Sequence, residues 1–233
     1  AILFDLDNTL YSETNGMEAR VLERMNKFVA EYLALCVEET ASVRREGSRR
    51  HGTTLEWLMQ EKGFNDPEAY FKAVHPESEI EGLGPDPGLE DFLESLPQRK
   101  AILTNSPREH AERVLKALGV AHCFGSITDI RANRLQGKPN PAAYLKALAD
   151  NDFDIESTVY VDDLPKYVKG YLELGGKGIL KDEADRYQDA QEEVYQHAVV
   201  ERIRSLAELP AAIERLSANR SRYPGVVYSR NQG

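Results

Sequence analysis

The sequence predicts an α/β protein with a mostly parallel sheet, helices on both faces and an inserted α-helical cap. Three observations carry this. Short apolar runs of strand length, at Ala1–Phe4, Ala101–Leu103, Thr158–Val161 and Ile179-Leu180, alternate with longer stretches whose apolar residues recur at helical spacing. Three of those runs end on polar residues able to do chemistry: Asp5 and Asp7, Thr104 and Asn105, Asp162 and Asp163. After the first run, residues 12–84 interrupt the alternation with helical periodicity alone. Strands joined through helices require right-handed crossovers, which collect the carboxyl-end loops on one edge, where open sheets bind ligands.

Ala1–Phe4 reads as a buried strand that delivers Asp5, Leu6, Asp7 and Asn8 to a loop. Met17, Val21, Met25, Phe28, Val29, Tyr32 and Leu33 then share one face of a long helix. Leu55, Leu58, Met59 and Phe64 predict at least one more, approached through Gly52-Thr53-Thr54. Repeated proline and glycine between Pro67 and Gly88 punctuate the return to the core. Leu89, Phe92, Leu93 and Leu96 make a helical face ahead of the strand Ala101–Leu103. Ser106, Pro107 and Glu109 fit the N-cap, N1 and N3 positions of the next helix, which buries Ala111, Val114, Leu115 and Leu118 and stops at Gly119.

Phe124–Thr128 is the next expected strand, and Asn140-Pro141 caps and starts a helix with Tyr144, Leu145 and Leu148 facing inward. Thr158–Val161 is the fourth strand. After a glycine turn at Gly175, Gly176 and Gly178, Ile179-Leu180 is a short fifth. Leu206, Leu209, Ile213 and Leu216 predict a docked helix. Asp182–Gln196 is polar and unassigned, and Ser217–Gly233 reads as an irregular tail. The expected boundaries are 1–11 and 85–216 for the catalytic core, 12–84 for the cap and 217–233 for the tail.

A length of 233 residues suits one core domain carrying an insertion, and a hydrophobic content of 41% suffices for a sizeable core. The 29 Lys and Arg against 39 Asp and Glu leave a net charge of −10, which disfavours nucleic acid and anionic membrane as partners. Two cysteines are too few for a disulfide scaffold: Cys36 is expected in an apolar helical stretch and Cys123 in the core beside Phe124. The expected setting is therefore reducing, soluble and cytoplasmic. The chain opens abruptly on Ala1–Phe4, with no leader pattern and no apolar run long enough to span a bilayer. His51, His75, His110, His122 and His197 have no close metal-ligand spacing and read as structural or exposed.

Asp5 and Asp7 at a strand end are costly unless paired, hydrogen-bonded or bound to metal. A turn there divides their work, so that one carboxylate attacks while the other exchanges a proton with a leaving group. The run Phe4-Asp5-Leu6-Asp7-Asn8-Thr9-Leu10-Tyr11 resembles the first signature of the haloacid dehalogenase-like (HAD) hydrolase superfamily, its phosphatases in particular. Thr104-Asn105 resembles the second signature, Lys138-Pro139 the third and Asp162-Asp163 the fourth, in the expected order.

The resemblance implies a Rossmann-like core in which Asp5 is the nucleophile that becomes an aspartyl-phosphate and Asp7 is the general acid, then the base for water. It implies that Thr104 bonds a nonbridging phosphate oxygen, that Asn105 helps to position it, and that Lys138 sets a positive charge beside phosphate and nucleophile. It further implies Mg²⁺ on Asp5, the Asp7 carbonyl and Asp163, with Asp162 completing the site, holding a metal-bound water or holding Lys138.

With Arg50-His51-Gly52-Thr53-Thr54-Leu55, the first signature is similar to the pyrimidine 5′-nucleotidase-like branch, whose comparable turn is usually tyrosine-glycine-threonine-threonine. His51 departs from that turn at a position that bears on base selectivity. Arg49, Arg50 and His51 are candidate contacts to phosphate, ribose or base, or a solvated basic run that opens a helix. The expected function is Mg²⁺-dependent phosphomonoester hydrolysis through an aspartyl-phosphate, with a pyrimidine nucleoside 5′-monophosphate as substrate. A sugar-phosphate or phosphoglycolate-like phosphatase is the alternative. A catalytically inactive, phosphate-responsive binding module is the alternative of another class. The expected partner is a small-molecule phosphomonoester, with no nucleic acid, no membrane, and a monomer or homodimer.

Overall fold

In the computed structural model, which describes residues 1–187 and 200–218, Ile2–Phe4 (β1) lies inside a six-stranded parallel sheet. It pairs with Lys100–Leu103 (β2) on one side and Val159–Asp162 (β4) on the other, Phe4 standing in register with both Ile102 and Val161. Ile127–Thr128 (β3) continues beyond β2; Lys177–Lys181 (β5) and Val200–Ile203 (β6) continue beyond β4. The order is thus β3-β2-β1-β4-β5-β6. The chain winds outward from β1 to β3 and then jumps back to β4, so its winding reverses between β1 and β4, the place where such sheets open a crevice. Asp5 leaves the carboxyl end of β1, and Asp162-Asp163 that of β4.

Strand alternation sends Ile2 and Phe4 to one face of the sheet and Leu3 to the other. On the first face pack Leu89 and Leu93 of Pro87–Ser95 (α5), Val114 and Leu118 of Arg108–Leu118 (α6), and Leu209 and Leu216 of Leu209–Ala218 (α9). On the second, Leu3, Leu103 and Tyr160 meet Tyr144 and Ala147 of Pro141–Asp150 (α7) and Tyr171 of Pro165–Leu172 (α8). Each such buried side chain contributes ~1.5–3 kcal/mol, so the site rests on a well-anchored sheet edge.

Between β1 and α5 the chain forms Met17–Leu33 (α1), Val37–His51 (α2), Thr54–Glu61 (α3) and Pro67–Val74 (α4). These cap helices have an apolar cluster of their own around Val29, Leu55, Trp57, Leu58 and Phe71, with the Phe28 ring edge-on to Phe64 at 5.4 Å and to Tyr70 at 5.2 Å. Gly47 lets α2 lie against the Trp57 indole, because a Cβ there would stand 2.2 Å from Trp57 Cδ2. Cap and core interlock: Ile130 joins the cap cluster, and Met17 is buried in the core cluster.

Several local expectations change. Pro107 is the N-cap of α6 rather than its first residue; the Asp129 carboxylate accepts from the Arg108 N–H, which frees the Ser106 hydroxyl for the site. The strand expected from Phe124 shrinks to Ile127–Thr128, and Phe124 instead packs edge-on against Phe4 at 5.9 Å. Cys36 is an exposed N-cap between α1 and α2 rather than part of an apolar helix. Leu145 faces solvent, and Phe64 lies beyond the end of α3. Ser217 and Ala218 end α9, while the rest of the expected tail, residues 219–233, and the end of the unassigned stretch from 188 lie outside the described residues. No described helix is long and apolar enough to cross a membrane.

Candidate active site

Asp5 is fixed as the backbone leaves β1: its N–H donates to the Val161 carbonyl at 2.8 Å and its Oδ2 accepts from the Thr9 hydroxyl at 3.1 Å. Lys138 reaches it from the loop ahead of α7. Asn105 grips that loop from both sides, its Oδ1 accepting from Lys138 N at 2.7 Å and its Nδ2 donating to Lys138 O at 3.0 Å. The grip needs Gly137, since a Cβ there would lie 2.6 Å from Asn105 Oδ1. Lys138 Nζ, shielded from solvent, donates to Asp5 Oδ1 at 2.6 Å and to Asp162 Oδ2 at 2.8 Å. Burial pulls the Lys138 ammonium down, but the Asp162 and Asp5 charges outweigh it and hold the group above the usual lysine range.

Asp162 has its oxygens committed. Oδ2 accepts from Lys138 and from the Tyr160 hydroxyl, and Oδ1 accepts from Leu164 N at 2.8 Å. Of the roles the sequence left open for it, holding Lys138 is the one its hydrogen bonds describe. Asp163 beside it is buried, and burial together with the Asp162 and Asp5 charges pushes its carboxyl up to about 9. Asp5 is pushed up to about 7 by burial, against the pull of Lys138 and with Asp162 adding to the rise.

Asp7 sits in contrasting surroundings. Its Oδ1 accepts from Tyr11 at 2.6 Å and from His110 Nε2 at 2.7 Å, and its Oδ2 accepts from Ser106 Oγ at 2.9 Å. Burial works to raise it, yet the His110 charge and hydrogen bond, with Tyr11, hold its carboxyl below the usual range. The Asp7 and Glu79 carboxylates in turn push His110 up to about 10 against its own burial. Thr104, at the end of β2, is buried and turns its Oγ1 to accept from Ser106 N at 3.0 Å.

Asp5, Asp7, Thr104, Asn105, Lys138 and Asp163 border one cavity of about 260 Å³ whose far wall is made by the cap helices. Gly52, Thr53 and Thr54 also border it, whereas Arg50 and His51, which close α2 rather than open a helix, line an adjoining cavity of about 610 Å³ and pair with Glu61 at 2.9 and 3.0 Å. Four further residues, to which the sequence assigned no site role, contribute: Tyr11, Ser106, His110 and Arg44. Buried Arg44 borders the cavity, donates to Asn26 Oδ1 at 2.7 Å and Thr54 Oγ1 at 3.3 Å, and has no carboxylate in ion-pair reach among the described residues. Tyr11, four residues beyond Asp7, was the most legible of the four; His110, 103 residues away, left no local sign.

Asp5, Asp162 and Asp163 place ligand-capable oxygens within 4.8 Å of one another, all buried. Three carboxylates against one lysine leave the cluster short of positive charge, and an all-oxygen donor set suits a hard divalent cation. The donors present thus fit Mg²⁺.

The haloacid dehalogenase-like hydrolase family model matches residues 1–170. Phosphate metabolism protein 8 of Saccharomyces cerevisiae is 24% identical over 186 residues, which is 74% of this chain but 58% of that relative, so the chain spans little more than half its length. A HAD phosphatase from Thermococcus onnurineus superposes with a TM-score of 0.62 at 20% identity, over 91% of this chain and 97% of the other. An L-2-haloacid dehalogenase from Xanthobacter autotrophicus superposes with a TM-score of 0.59 at 17% identity, over the same shares. At such identities the structural likeness concerns the fold.

Proposed function

The chain belongs to the haloacid dehalogenase-like hydrolase family, and from that premise we propose that it is a Mg²⁺-dependent phosphomonoesterase working through an aspartyl-phosphate on Asp5. The observation that carries this reading is Lys138 Nζ seated between Asp5 and Asp162, with Asp7 and Asp163 on the same cavity. We assign residues 1–11 and 85–216 to the catalytic core and 12–84 to a cap that keeps bulk water from the reacting phosphate.

An Asp5 carboxylate oxygen attacks phosphorus, the bond to the leaving oxygen breaks, and Asp7 gives that oxygen its proton. In the second half Asp7 takes a proton from water as the water oxygen attacks phosphorus and the acyl-phosphate bond to Asp5 breaks. The His110 charge and hydrogen bond favour ionised Asp7, the form the second half needs; a phosphate dianion beside it would favour the protonated form that the first half needs. Lys138 limits repulsion between Asp5 and the incoming anion. Thr104 spends an acceptor position on Ser106 N and keeps its O–H to donate to a phosphate oxygen. Asn105 acts by holding Lys138 in place. Asp5, Asp163 and the Asp7 carbonyl would hold Mg²⁺, which when bound supplies charge neutralisation at the phosphate oxygens.

The name of the yeast relative speaks of phosphate metabolism, in line with this reading. The fold likeness to a dehalogenase does not outweigh the acidic cluster, because halide displacement needs no cation among Asp5, Asp162 and Asp163. For the substrate we favour a pyrimidine nucleoside 5′-monophosphate: Met25, Leu55, Tyr70 and Phe71 offer an apolar slot for a flat ring, and Arg44 a donor for a ring carbonyl. Arg50 and His51 would reach such a substrate only through the adjoining cavity.

The test is phosphate release from CMP, UMP, AMP, GMP, ribose 5-phosphate and phosphoglycolate, with Mg²⁺ and with EDTA, alongside trapping of the phosphoenzyme. Mg²⁺-dependent turnover with a covalent phosphate that Asp5→Asn abolishes is expected. Absence of both turnover and phosphoenzyme would leave a phosphate-binding module, and equal rates on all esters would remove the nucleotide assignment.

A further inference from the structure

Behind Asp7 lies a buried polar chain that the reaction scheme above does not use. His110, shielded from solvent on α6, donates from Nε2 to Asp7 Oδ1, and its Nδ1 stands 2.9 Å from Glu79 Oε1. Glu79 in turn meets His75 Nδ1 at 2.8 Å through Oε2 and accepts from the Arg113 guanidinium, which also donates to the His75 carbonyl at 2.9 Å. Two histidines and a glutamate this close have the makings of a metal site, but Arg113 already supplies Glu79 with a cation. The cluster instead holds the imidazole between two carboxylates, with a hydrogen bond from Nε2 to Asp7 and an ion-pair contact, outside hydrogen-bond geometry, from Nδ1 to Glu79.

The hydrogen bonds distinguish the two oxygens of Asp7. Oδ1 faces two donors, Tyr11 and His110, and has no room for a proton of its own. Oδ2 faces only the Ser106 hydroxyl, a rotor that can donate to a carboxylate or accept from a carboxylic acid. We propose that His110, backed by Glu79, is a positioning residue that pins Asp7 through Oδ1 and thereby makes Oδ2 the oxygen that carries the proton to and from the reacting centre. The assignment rests on the phosphomonoesterase reading and deepens it. When the bond from phosphorus to the leaving oxygen breaks, the electron pair stays on that oxygen and the Oδ2 proton joins it; in hydrolysis a water proton returns to Oδ2. His110 acts only as a donor from Nε2 and exchanges no proton with substrate.

A merely structural histidine would slow every substrate alike. A positioning role is selective, because p-nitrophenolate departs without a proton whereas an alkoxide does not. The measurement is kcat/KM, which reports steps through phosphoryl transfer, for UMP and ribose 5-phosphate against p-nitrophenyl phosphate, in wild type, His110→Leu and His110→Gln. His110→Leu is expected to lose on the order of 100-fold on the two alkyl esters and less than about 5-fold on the aryl ester, as a misplaced acid does. Gln can put an amide N–H where Nε2 was, and His110→Gln is expected to recover most of the alkyl loss. Near-normal aryl activity in both variants certifies the fold. Equal losses on alkyl and aryl esters, or a glutamine variant that folds but rescues nothing, would overturn the assignment alone. A wild type inert toward all three esters would overturn the phosphomonoesterase reading and take this inference with it.

Discussion

Replacing Lys138 with methionine keeps most of its length and removes its charge, leaving Asp5 and Asp162 buried against each other without a shared cation. Removing one member of a buried ion pair costs about 3–5 kcal/mol, because the remaining charge is left uncompensated. For a chain of this size each kcal/mol moves Tm by about 2–4 °C, so Lys138→Met should melt roughly 6–20 °C lower in EDTA. The loss should also depend on pH. Asp5 sits at about 7 when folded and near the ordinary ~3.9 when unfolded, so between those values the folded protein binds more protons and its stability falls as pH rises. Without the pull of Lys138 the Asp5 carboxyl titrates higher still, and the fall extends further. The gap between variant and wild type in urea midpoint is therefore expected to widen from about pH 5 to about pH 8. A gap that is absent or constant across that range would mean that Lys138 does not neutralise the pair, and the electrostatic account of the site would fail.

Asp163→Asn should leave the fold intact and shift stabilisation by Mg²⁺ to higher concentration; wild type gains ~2.7 kcal/mol at a hundredfold excess over Kd, and coincident thermal-shift titrations would remove Asp163 from the metal site. Gly47→Ala should cost ~1–3 kcal/mol, since its Cβ would fall 2.2 Å from Trp57 Cδ2, and an unchanged urea midpoint would contradict that packing. Asp182, buried and accepting from Arg186 N, Tyr187 N and Arg202, is held below the usual carboxylate range by those bonds although burial opposes them. Its stabilisation is complete above its unfolded value of ~3.9 and disappears as pH falls through the lower folded value; Asp182→Asn should flatten this acid limb, and parallel limbs in urea midpoints would refute the role.

The strand-end residues were legible because a short apolar run before a polar pair fixes both the element and the edge of the sheet on which the pair emerges. That reasoning located Asp5, Thr104 and Asp163 on one cavity across nearly 160 residues of chain. Lys138 was legible only through the resemblance of Lys138-Pro139 to the third signature, since a lysine just ahead of the Asn140-Pro141 cap would otherwise read as a solvated surface residue. Ser106 was misread because Ser-Pro-x-Glu is also a good helix entrance; a distant acceptor, Asp7, took its hydroxyl, and Asp129 capped the helix instead. Helix α2 was missed since it has almost no apolar stripe and relies on Gly47 against Trp57 and on surface pairs such as Arg50 with Glu46. His110 depends on the rotational phase of α6 against a loop 103 residues earlier, which no local pattern encodes.

Asp5 and Asp7, the carboxylates proposed as nucleophile and acid, lie in fields of opposite imbalance, and this links metal and substrate to the roles proposed for them. Around Asp5, one ammonium serves Asp5 and Asp162 while a third carboxylate, Asp163, stands beside them; around Asp7 stand the donors Tyr11, His110 and Ser106. Burial pushes Asp5 up to about 7, while the His110 charge and hydrogen bond hold Asp7 below the usual carboxylate range. A divalent cation beside Asp5 and Asp163 favours their ionised forms, and a phosphate dianion beside Asp7 favours its protonated form. Each ligand would thus act on one of the two carboxylates, in the direction that the role proposed for that carboxylate needs. That arrangement would restrain the nucleophile and the acid from acting on anything that does not bring a dianion to a metal-loaded site.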